Sequence, residues 1–147
     1  MKQIFTFLLF IFFVSSCAGT HGSIESYQFD TSKAVLEQAV KLVLRNNTAS
    51  LQEDKIKDAS EVRYLTIFIT FEGDRYGYRL HYYGDEAHWK SSKTSIISIA
   101  SARINGIGGI NSDVAMSDEL KDKLLMVFEQ RFIRLVNQAL KENPRIN

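Results

Sequence analysis

The chain contains 147 residues, of which 45% are hydrophobic, and it carries 18 basic and 17 acidic side chains for a formal net charge of +1. This length supports one domain with its own hydrophobic core. The near balance of charge argues against a protein that binds nucleic acid, because such a domain carries a marked basic excess. The chain has a single cysteine, so no disulfide can form within it.

The N-terminal region has the organisation of a secretory signal. Lys2 provides a basic start, and residues 4–14 are apolar except for Thr6. This run lies within the roughly 7–15 residues of a signal's hydrophobic region and is shorter than the roughly 20 that cross a bilayer. We therefore predict that residues 1–16 are a cleaved signal peptide.

Four residues at the end of this run form a second motif. Val14, Ser15, Ser16 and Cys17 follow the order aliphatic, small, small, cysteine, which resembles the lipobox of bacterial lipoprotein precursors. The resemblance implies cleavage before Cys17, acylation of its thiol and of the new amino terminus by fatty acids such as palmitate, and a lipid anchor. Ala18 at the next position resembles the signal for sorting to the outer membrane. The resemblance therefore implies the envelope of a Gram-negative bacterium, with the domain facing the periplasm.

Two other interpretations of this segment are open. An ordinary secretory signal would leave Cys17 as a lone thiol in an oxidising compartment. A buried N-terminal helix with a core cysteine is the other, but the apolar side chains of residues 4–14 point all round a helix and leave no polar face. We therefore favour the lipoprotein signal.

The remaining chain divides into three parts. Residues 17–29 comprise the lipidated cysteine and a flexible tether, residues 30–143 form a single domain, and residues 144–147 are a tail. Cleavage before Cys17 would leave 131 residues. Because Lys2 is the only charged residue removed, the mature chain would have 17 basic and 17 acidic residues and a formal net charge of zero.

The first predicted helix rests on apolar residues that recur at helical spacing over residues 35–43. Ser32 or Thr31 is its expected N-cap, and a pair of asparagines, residues 46–47, is its expected end. We expect the polar residues 48–61 to form a loop or a frayed extension of this helix.

Residues 62–83 predict a β-hairpin, because two β-rich runs flank a polar turn. With Gly73 and Asp74 as the two turn residues, one side of the ribbon is entirely apolar. This register pairs Phe71 with Tyr76, Ile69 with Tyr78, Ile67 with Leu80, and Leu65 with Tyr82. The other side carries Tyr64, Thr66, Phe68 and Thr70 against Tyr83, His81, Arg79 and Gly77.

Further segments complete the domain. We expect residues 84–93 to form a polar connection, residues 95–104 a third strand with a bulge or with both faces buried, and residues 106–111 a flexible loop. Ser117 opens a last helix, whose apolar stripe runs to Leu140. The order α-β-β-β-α predicts a small two-layer α+β sandwich, with an antiparallel sheet of three strands and two helices packed on one face.

The best candidates for metal binding or acid–base chemistry are His81, Asp85, Glu86 and His88, because carboxylates and imidazoles bind divalent ions. Their spacing matches no zinc motif, and a solvated loop is the favoured interpretation. The glycine-rich residues 106–111 lack the lysine of a phosphate-binding loop, and the sequence contains no G-x-S-x-G elbow. We therefore predict no catalytic residue and no cofactor.

A candidate surface for a protein partner lies on the second side of the hairpin. Aromatic residues and arginine are enriched where protein interfaces gain most of their affinity. The candidates are Tyr64, Phe68, Arg79, His81 and Tyr83, with Trp89 near them. Another segment, such as residues 48–61, could instead cover this side.

These features favour a membrane-tethered, non-enzymatic binding or scaffolding module with a protein partner and without nucleic acid. One variant of this class is a periplasmic immunity-type inhibitor of a toxin. The competing class is a metal-dependent envelope hydrolase built on His81, Asp85, Glu86 and His88.

The lipid anchor predicts a specific amino terminus. In mass spectra of the protein from its native host, we expect the chain to begin at Cys17, with acyl chains on both its thiol and its amino group. Cys17→Ser should remove these fatty acids and release the protein from the membrane fraction, whereas Ser23→Ala should change neither. A protein that begins at Met1 with an unmodified thiol would contradict the anchor.

Overall fold

The structure is a computed structural model that describes residues 23–54, 64–111 and 117–142. The predicted signal peptide, the lipidation site at Cys17 and the tail at 144–147 lie outside the described residues.

The described residues form six strands and three helical regions. The strands are β1 (Glu25–Phe29), β2 (Leu51–Asp54), β3 (Leu65–Phe71), β4 (Asp74–Tyr82), β5 (Ser95–Ile104) and β6 (Ile107–Asn111). The helices are α1 (Lys33–Asn46), α2 (Glu86–Ser91), α3 (Asp118–Phe128) and α4 (Arg134–Glu142), with a π-helical turn at Glu129–Ile133 that joins α3 to α4.

All six strands belong to one antiparallel sheet in the order β1-β5-β4-β3-β2. β6 also pairs with β5, on the edge that it shares with β1, because β1 pairs with residues 95–99 and β6 with residues 101–104. The predicted α+β class and antiparallel sheet are confirmed. The prediction of three strands and two helices is wrong, because β1, β2 and β6 extend the sheet and α2 is an additional short helix.

Two of the missed strands lie in segments predicted to be irregular. β1 occupies the end of the predicted tether at 17–29, where it pairs along its full length with β5 and buries Phe29. β2 lies within the predicted loop at 48–61 and buries Leu51 against β3. Both are short edge strands, in which polar and charged side chains are common.

The third missed strand, β6, lies in the predicted flexible loop at 106–111. Asn105 and Gly106 connect it to β5 and have φ angles of 50° and 74°. A type I′ hairpin turn requires positive φ at both central residues, which Asn-Gly adopts at low cost. The glycine-rich segment is therefore a paired strand after a tight turn.

The hairpin of β3 and β4 forms, but its predicted register is wrong by two residues. Glu72 and Gly73 are the turn residues, with φ angles of 52° and 84°, so Asp74 belongs to β4. The observed pairs are Phe71–Asp74, Ile69–Tyr76, Ile67–Tyr78 and Leu65–Leu80. A shift of two residues keeps every side chain on its predicted face, but the apolar side now includes Asp74, opposite Phe71.

β5 has the predicted bounds and contains a bulge. Its pairing with β4 shifts between Arg79, which lies opposite Ser101, and Leu80, which lies opposite Ile99. Ala100 is therefore the extra residue. This extra residue explains why the apolar residues of β5 do not alternate strictly.

α1 and α3 begin at predicted N-caps. The Ser32 hydroxyl accepts a hydrogen bond from the Val35 N–H at 3.4 Å, and the Ser117 hydroxyl accepts one from the Leu120 N–H at 3.3 Å. Each contact satisfies a backbone donor that has no partner within the helix.

One hydrophobic core lies between the sheet and the long helices. Phe128 is fully buried there, with its ring centroid 4.9 Å from that of Tyr78 and 5.2 Å from that of Phe132. The helices contribute Leu36, Val40, Val43, Leu124, Val127, Phe132 and Val136, and the strands contribute Ile67, Ile69, Tyr76, Tyr78, Leu80, Ile97 and Ile99.

Tyr78 tests the contact between sheet and helix. Burial raises the pKa of its phenol, and the hydroxyl donates a hydrogen bond to the Leu124 carbonyl at 2.9 Å. We expect Tyr78→Phe to lower the free energy of unfolding in urea by about 1 kcal/mol, because a buried hydrogen bond contributes about that much. The control Tyr27→Phe removes an exposed hydrogen bond to Glu129 and should cost less than about 0.5 kcal/mol. Equal losses in the two variants would contradict the assignment.

Candidate binding surface

The sheet has an outer face, opposite the helices, formed by the outward residues of β3, β4 and β5. Strand pairing places on it Tyr64, Thr66, Phe68, Thr70, Arg75, Gly77, Arg79, His81, Ser101 and Arg103. Within residues 23–54, 64–111 and 117–142, no helix packs on this face, since α1, α3 and α4 bury their apolar residues in the core and α2 buries none. We call the sheet end at the Glu72–Gly73 turn the tip end, and the end at Tyr64 the base end.

The outer face carries a first cluster near the base end, which we call the Tyr64 cluster: Tyr64, Arg79 and His81. The guanidinium carbon of Arg79 lies 4.0 Å from the centroid of the Tyr64 ring. The His81 ring meets the Tyr64 ring edge-on, with centroids 6.0 Å apart. All three residues are half-buried, so each presents part of its surface to solvent while its neighbours restrict its rotamers.

A second cluster lies towards the tip end, which we call the Phe68 cluster: Phe68, Arg75 and Arg103. The guanidinium carbons of Arg75 and Arg103 lie 4.0 Å and 5.4 Å from the centroid of the Phe68 ring. Phe68 is thus on the predicted face but separate from the Tyr64 cluster. Neither Arg75 nor Arg103 was a predicted site residue. Arg75 lies two residues before Gly77 on β4 and Arg103 lies opposite Gly77 on β5, so both face outward.

Trp89 does not join the other predicted residues on the outer face, whereas Tyr83 directly follows β4, donates its N–H to the Ile96 carbonyl at 3.0 Å and is 51% exposed. Trp89 lies on α2, and its indole N–H donates a hydrogen bond to the Tyr83 carbonyl at 2.8 Å. The Lys33 ammonium lies 4.1 Å from the Trp89 ring and 5.0 Å from the Tyr82 ring. Trp89 therefore packs against the start of α1. Sequence reasoning missed this contact because Lys33 and Trp89 are far apart in the chain.

A groove of about 720 Å³ runs from the Tyr64 cluster past Trp89 to α1, and we call it the base groove. Its charged lining includes two lysines and four carboxylates: Lys33, Lys41, Glu37, Glu53, Asp85 and Glu86. Burial, followed by Glu37 and Glu53, raises the pKa of Tyr82, so its phenol stays neutral in the groove. The groove thus combines aromatic walls with an excess of negative charge.

Three of the four hydrolase candidates, His81, Asp85 and Glu86, line the base groove, whereas His88 does not. The Asp85 carboxylate caps α2 by accepting a hydrogen bond from the His88 N–H at 2.9 Å. Glu86 and His88 are exposed, and His81 lies against Tyr64. In the part of the chain that the structure describes, no three His, Cys, Asp or Glu side chains are grouped so that they could hold a metal ion.

Comparison with known proteins identifies no relative of this chain. No protein family, no curated protein and no solved structure matches it. Across the three described ranges, no helix has both the length and the apolar content needed to cross a bilayer.

The hydrolase hypothesis has a direct test in the metal content of the purified mature protein. We expect no stoichiometric divalent metal by plasma mass spectrometry, because Asp85 is engaged as an N-cap while Glu86 and His88 face solvent. The double variant His81→Ala and His88→Ala should therefore have the same metal content as the parent. A stoichiometric ion that this variant loses would overturn the expectation and favour the hydrolase.

Proposed function

We propose that the chain is a lipid-anchored protein of the Gram-negative envelope that binds a protein partner without catalysing a reaction. The lipid on Cys17 holds the domain at the outer membrane, facing the periplasm. The Tyr64 cluster and the adjoining base groove contact the partner. The lipobox resemblance supports the anchor, and the placement of the Tyr64 cluster supports the binding surface.

The observation that carries the binding surface is the stack of Arg79 on Tyr64. Both side chains are half-buried on a face on which no described helix packs. Because neighbouring groups already restrict these two side chains, the side chains lose little further conformational entropy when a partner binds. Tyrosine and arginine in such settings dominate the affinity of many protein interfaces.

The direction of β1 supports a membrane-tethered arrangement of this surface. β1 runs antiparallel to β5, so its first residue, Glu25, lies nearer the tip end than its last residue, Phe29. A chain that arrives from Cys17 therefore reaches the sheet from the tip side, whereas the base groove opens at the other end. This arrangement would direct the groove away from the bilayer, and the tether would raise the local concentration of the domain for an envelope partner.

A periplasmic immunity-type inhibitor is a variant of the same proposal, in which the partner is a toxin. A toxin gene beside the gene for this chain would favour it. The competing metal-dependent hydrolase would use His81, Asp85 and Glu86 in the base groove, but among the described residues no three such side chains are grouped so that they could hold a metal ion.

Site-specific crosslinking in intact cells tests the binding surface. A photoreactive residue at Thr66, on the outer face, should crosslink to a defined protein, whereas one at Gln130, on the helical side, should not. In the double variant Tyr64→Ala and Arg79→Ala we expect at least thirtyfold weaker binding of the identified partner, since alanine substitution at central interface residues costs about 2 kcal/mol or more.

A matched control separates loss of binding from loss of folding. The double variant Met126→Ala and Arg134→Ala also removes one apolar and one arginine side chain, but from the exposed surface of the helical layer. It should keep full affinity, and both double variants should keep nearly the parental thermal midpoint. Retained affinity in the Tyr64 and Arg79 variant, or a large loss of its stability, would contradict a binding role for the cluster.

A further inference from the structure

The Phe68 cluster is the starting point for a second site. Arg75 and Arg103 both place their guanidinium groups near one aromatic ring, at 4.0 Å and 5.4 Å from its centroid. Contact with a ring face occupies the plane of a guanidinium and leaves its edge N–H donors available. Among the described residues, neither arginine forms a salt bridge with a carboxylate. Both arginines therefore have edge N–H donors that no carboxylate of the described residues engages in a salt bridge.

A glycine permits the close approach of Arg103 to Phe68. Gly77 lies beneath them, and a Cβ atom there would come within 3.0 Å of the Arg103 Nε atom and 3.1 Å of the Phe68 ring. The Asn105 side chain accepts a hydrogen bond from the Arg75 N–H at 2.8 Å, which joins the two hairpin turns at the tip end. A pocket of about 440 Å³ results, lined by Phe68, Arg75, Gly77, Arg103, Asn105 and Gly106.

Nearby carboxylates leave the basic character of this pocket in place. Asp74 accepts a hydrogen bond from the Asn105 amide at 2.8 Å and lies 3.6 Å from the Lys123 ammonium. The Asn105 hydrogen bond is the main cause of the lowered pKa of Asp74, and Lys123 contributes. Glu72, in the turn, is exposed to solvent. The outward positions of β3, β4 and β5 contain no acidic residue.

The length of the chain before β1 limits how far this pocket can lie from a membrane. Ser23 follows Cys17 by six residues, so the two lie within about 20 Å of one another even when the chain is extended. The Ile24 N–H donates to the Ile99 carbonyl at 2.8 Å, and Arg103 lies four residues further along β5 towards the tip end. Four strand residues span about 13 Å. An acylated Cys17 would thus hold the bilayer within reach of the pocket.

We propose that Arg75 and Arg103 bind the phosphate of an anionic phospholipid headgroup and so orient the tethered domain with its tip end on the membrane. This inference rests on the lipid anchor of the proposed function. We favour a lipid headgroup over an acidic protein segment as the ligand, because the direction of β1 would place the tip end, and not the base end, towards the bilayer. Arginine forms paired hydrogen bonds with phosphate oxygens, and basic residues near an anionic surface are attracted to it.

Cys17 is the only cysteine of the chain, and the lipid would occupy its thiol. A cysteine introduced elsewhere would therefore be the single site for a spin label. Mature protein with Thr70→Cys, an exposed outer-face position opposite Arg75, is spin-labelled and reconstituted into vesicles. The vesicles consist of phosphatidylcholine with or without phosphatidylglycerol. The contact of the label with lipid is measured from its accessibility to oxygen and to a water-soluble nickel chelate. A label at Ser91→Cys, on α2, reports the base end.

We expect the label at position 70 to contact lipid on vesicles with phosphatidylglycerol and to remain in water on phosphatidylcholine alone. The double variant Arg75→Gln and Arg103→Gln should reduce the equilibrium between contact and no contact about thirtyfold, as expected for two basic residues near an anionic surface. The control Lys90→Gln and Lys93→Gln removes the same charge at exposed base-end positions and should have no effect. Increased salt should weaken the contact in the parent, a readout that needs no variant.

Three outcomes would overturn the proposal. Equal lipid contact on both vesicle types would exclude headgroup recognition, and equal loss in the arginine and lysine variants would reduce the effect to net charge. Saturable binding of inorganic phosphate or glycerol phosphate that releases the label from the vesicles would assign the pocket to a soluble anion. An unmodified Cys17 in the mass spectrum would instead overturn the proposed anchor, and this result is distinguishable because it is measured before any vesicle is added.

Discussion

The arrangement of the domain depends on the burial of Phe128 between the sheet and the helices. Its ring centroid lies 5.5 Å from that of Tyr27 on β1, 4.9 Å from that of Tyr78 on β4 and 5.2 Å from that of Phe132 in the π-helical turn. Tilted aromatic pairs at such distances stabilise a core beyond the burial of their surface. This one side chain therefore connects an edge strand, a central strand and the π-helical turn that follows α3.

With the core on one side of the sheet, no helix of the described residues packs on the outer face. The two clusters on this face lie towards different ends and differ in chemistry. The Tyr64 cluster adjoins an acidic, aromatic groove, whereas the Phe68 cluster offers two arginines without a carboxylate partner among the described residues. In the proposed orientation, the first would face a protein partner and the second would face the lipid headgroups.

The parts of the fold that could be predicted depend on local signals. The caps at Ser32 and Ser117, the helical spacing after them and the bounds of β5 follow from neighbouring residues alone. The alternation in β3 and β4 also placed Tyr64, Arg79 and His81 on one face, because a strand's side-chain period is two residues. The edge strands β1, β2 and β6 could not be predicted in this way, since each is defined by backbone pairing with a neighbouring strand and not by an apolar alternation of its own.

The sequence by itself therefore determined the α+β class, the helix starts and the face to which each hairpin residue belongs, because these depend on caps and periodicity within a few residues. Only the tertiary structure decided the two-residue shift of the hairpin, the contact of Lys33 with Trp89 and the approach of Arg75 and Arg103 to Phe68. Each of these joins side chains or backbone groups that are brought together by strand pairing and helix packing. Those long-range choices minimise the free energy of the whole domain, and no short window of sequence contains all the groups involved.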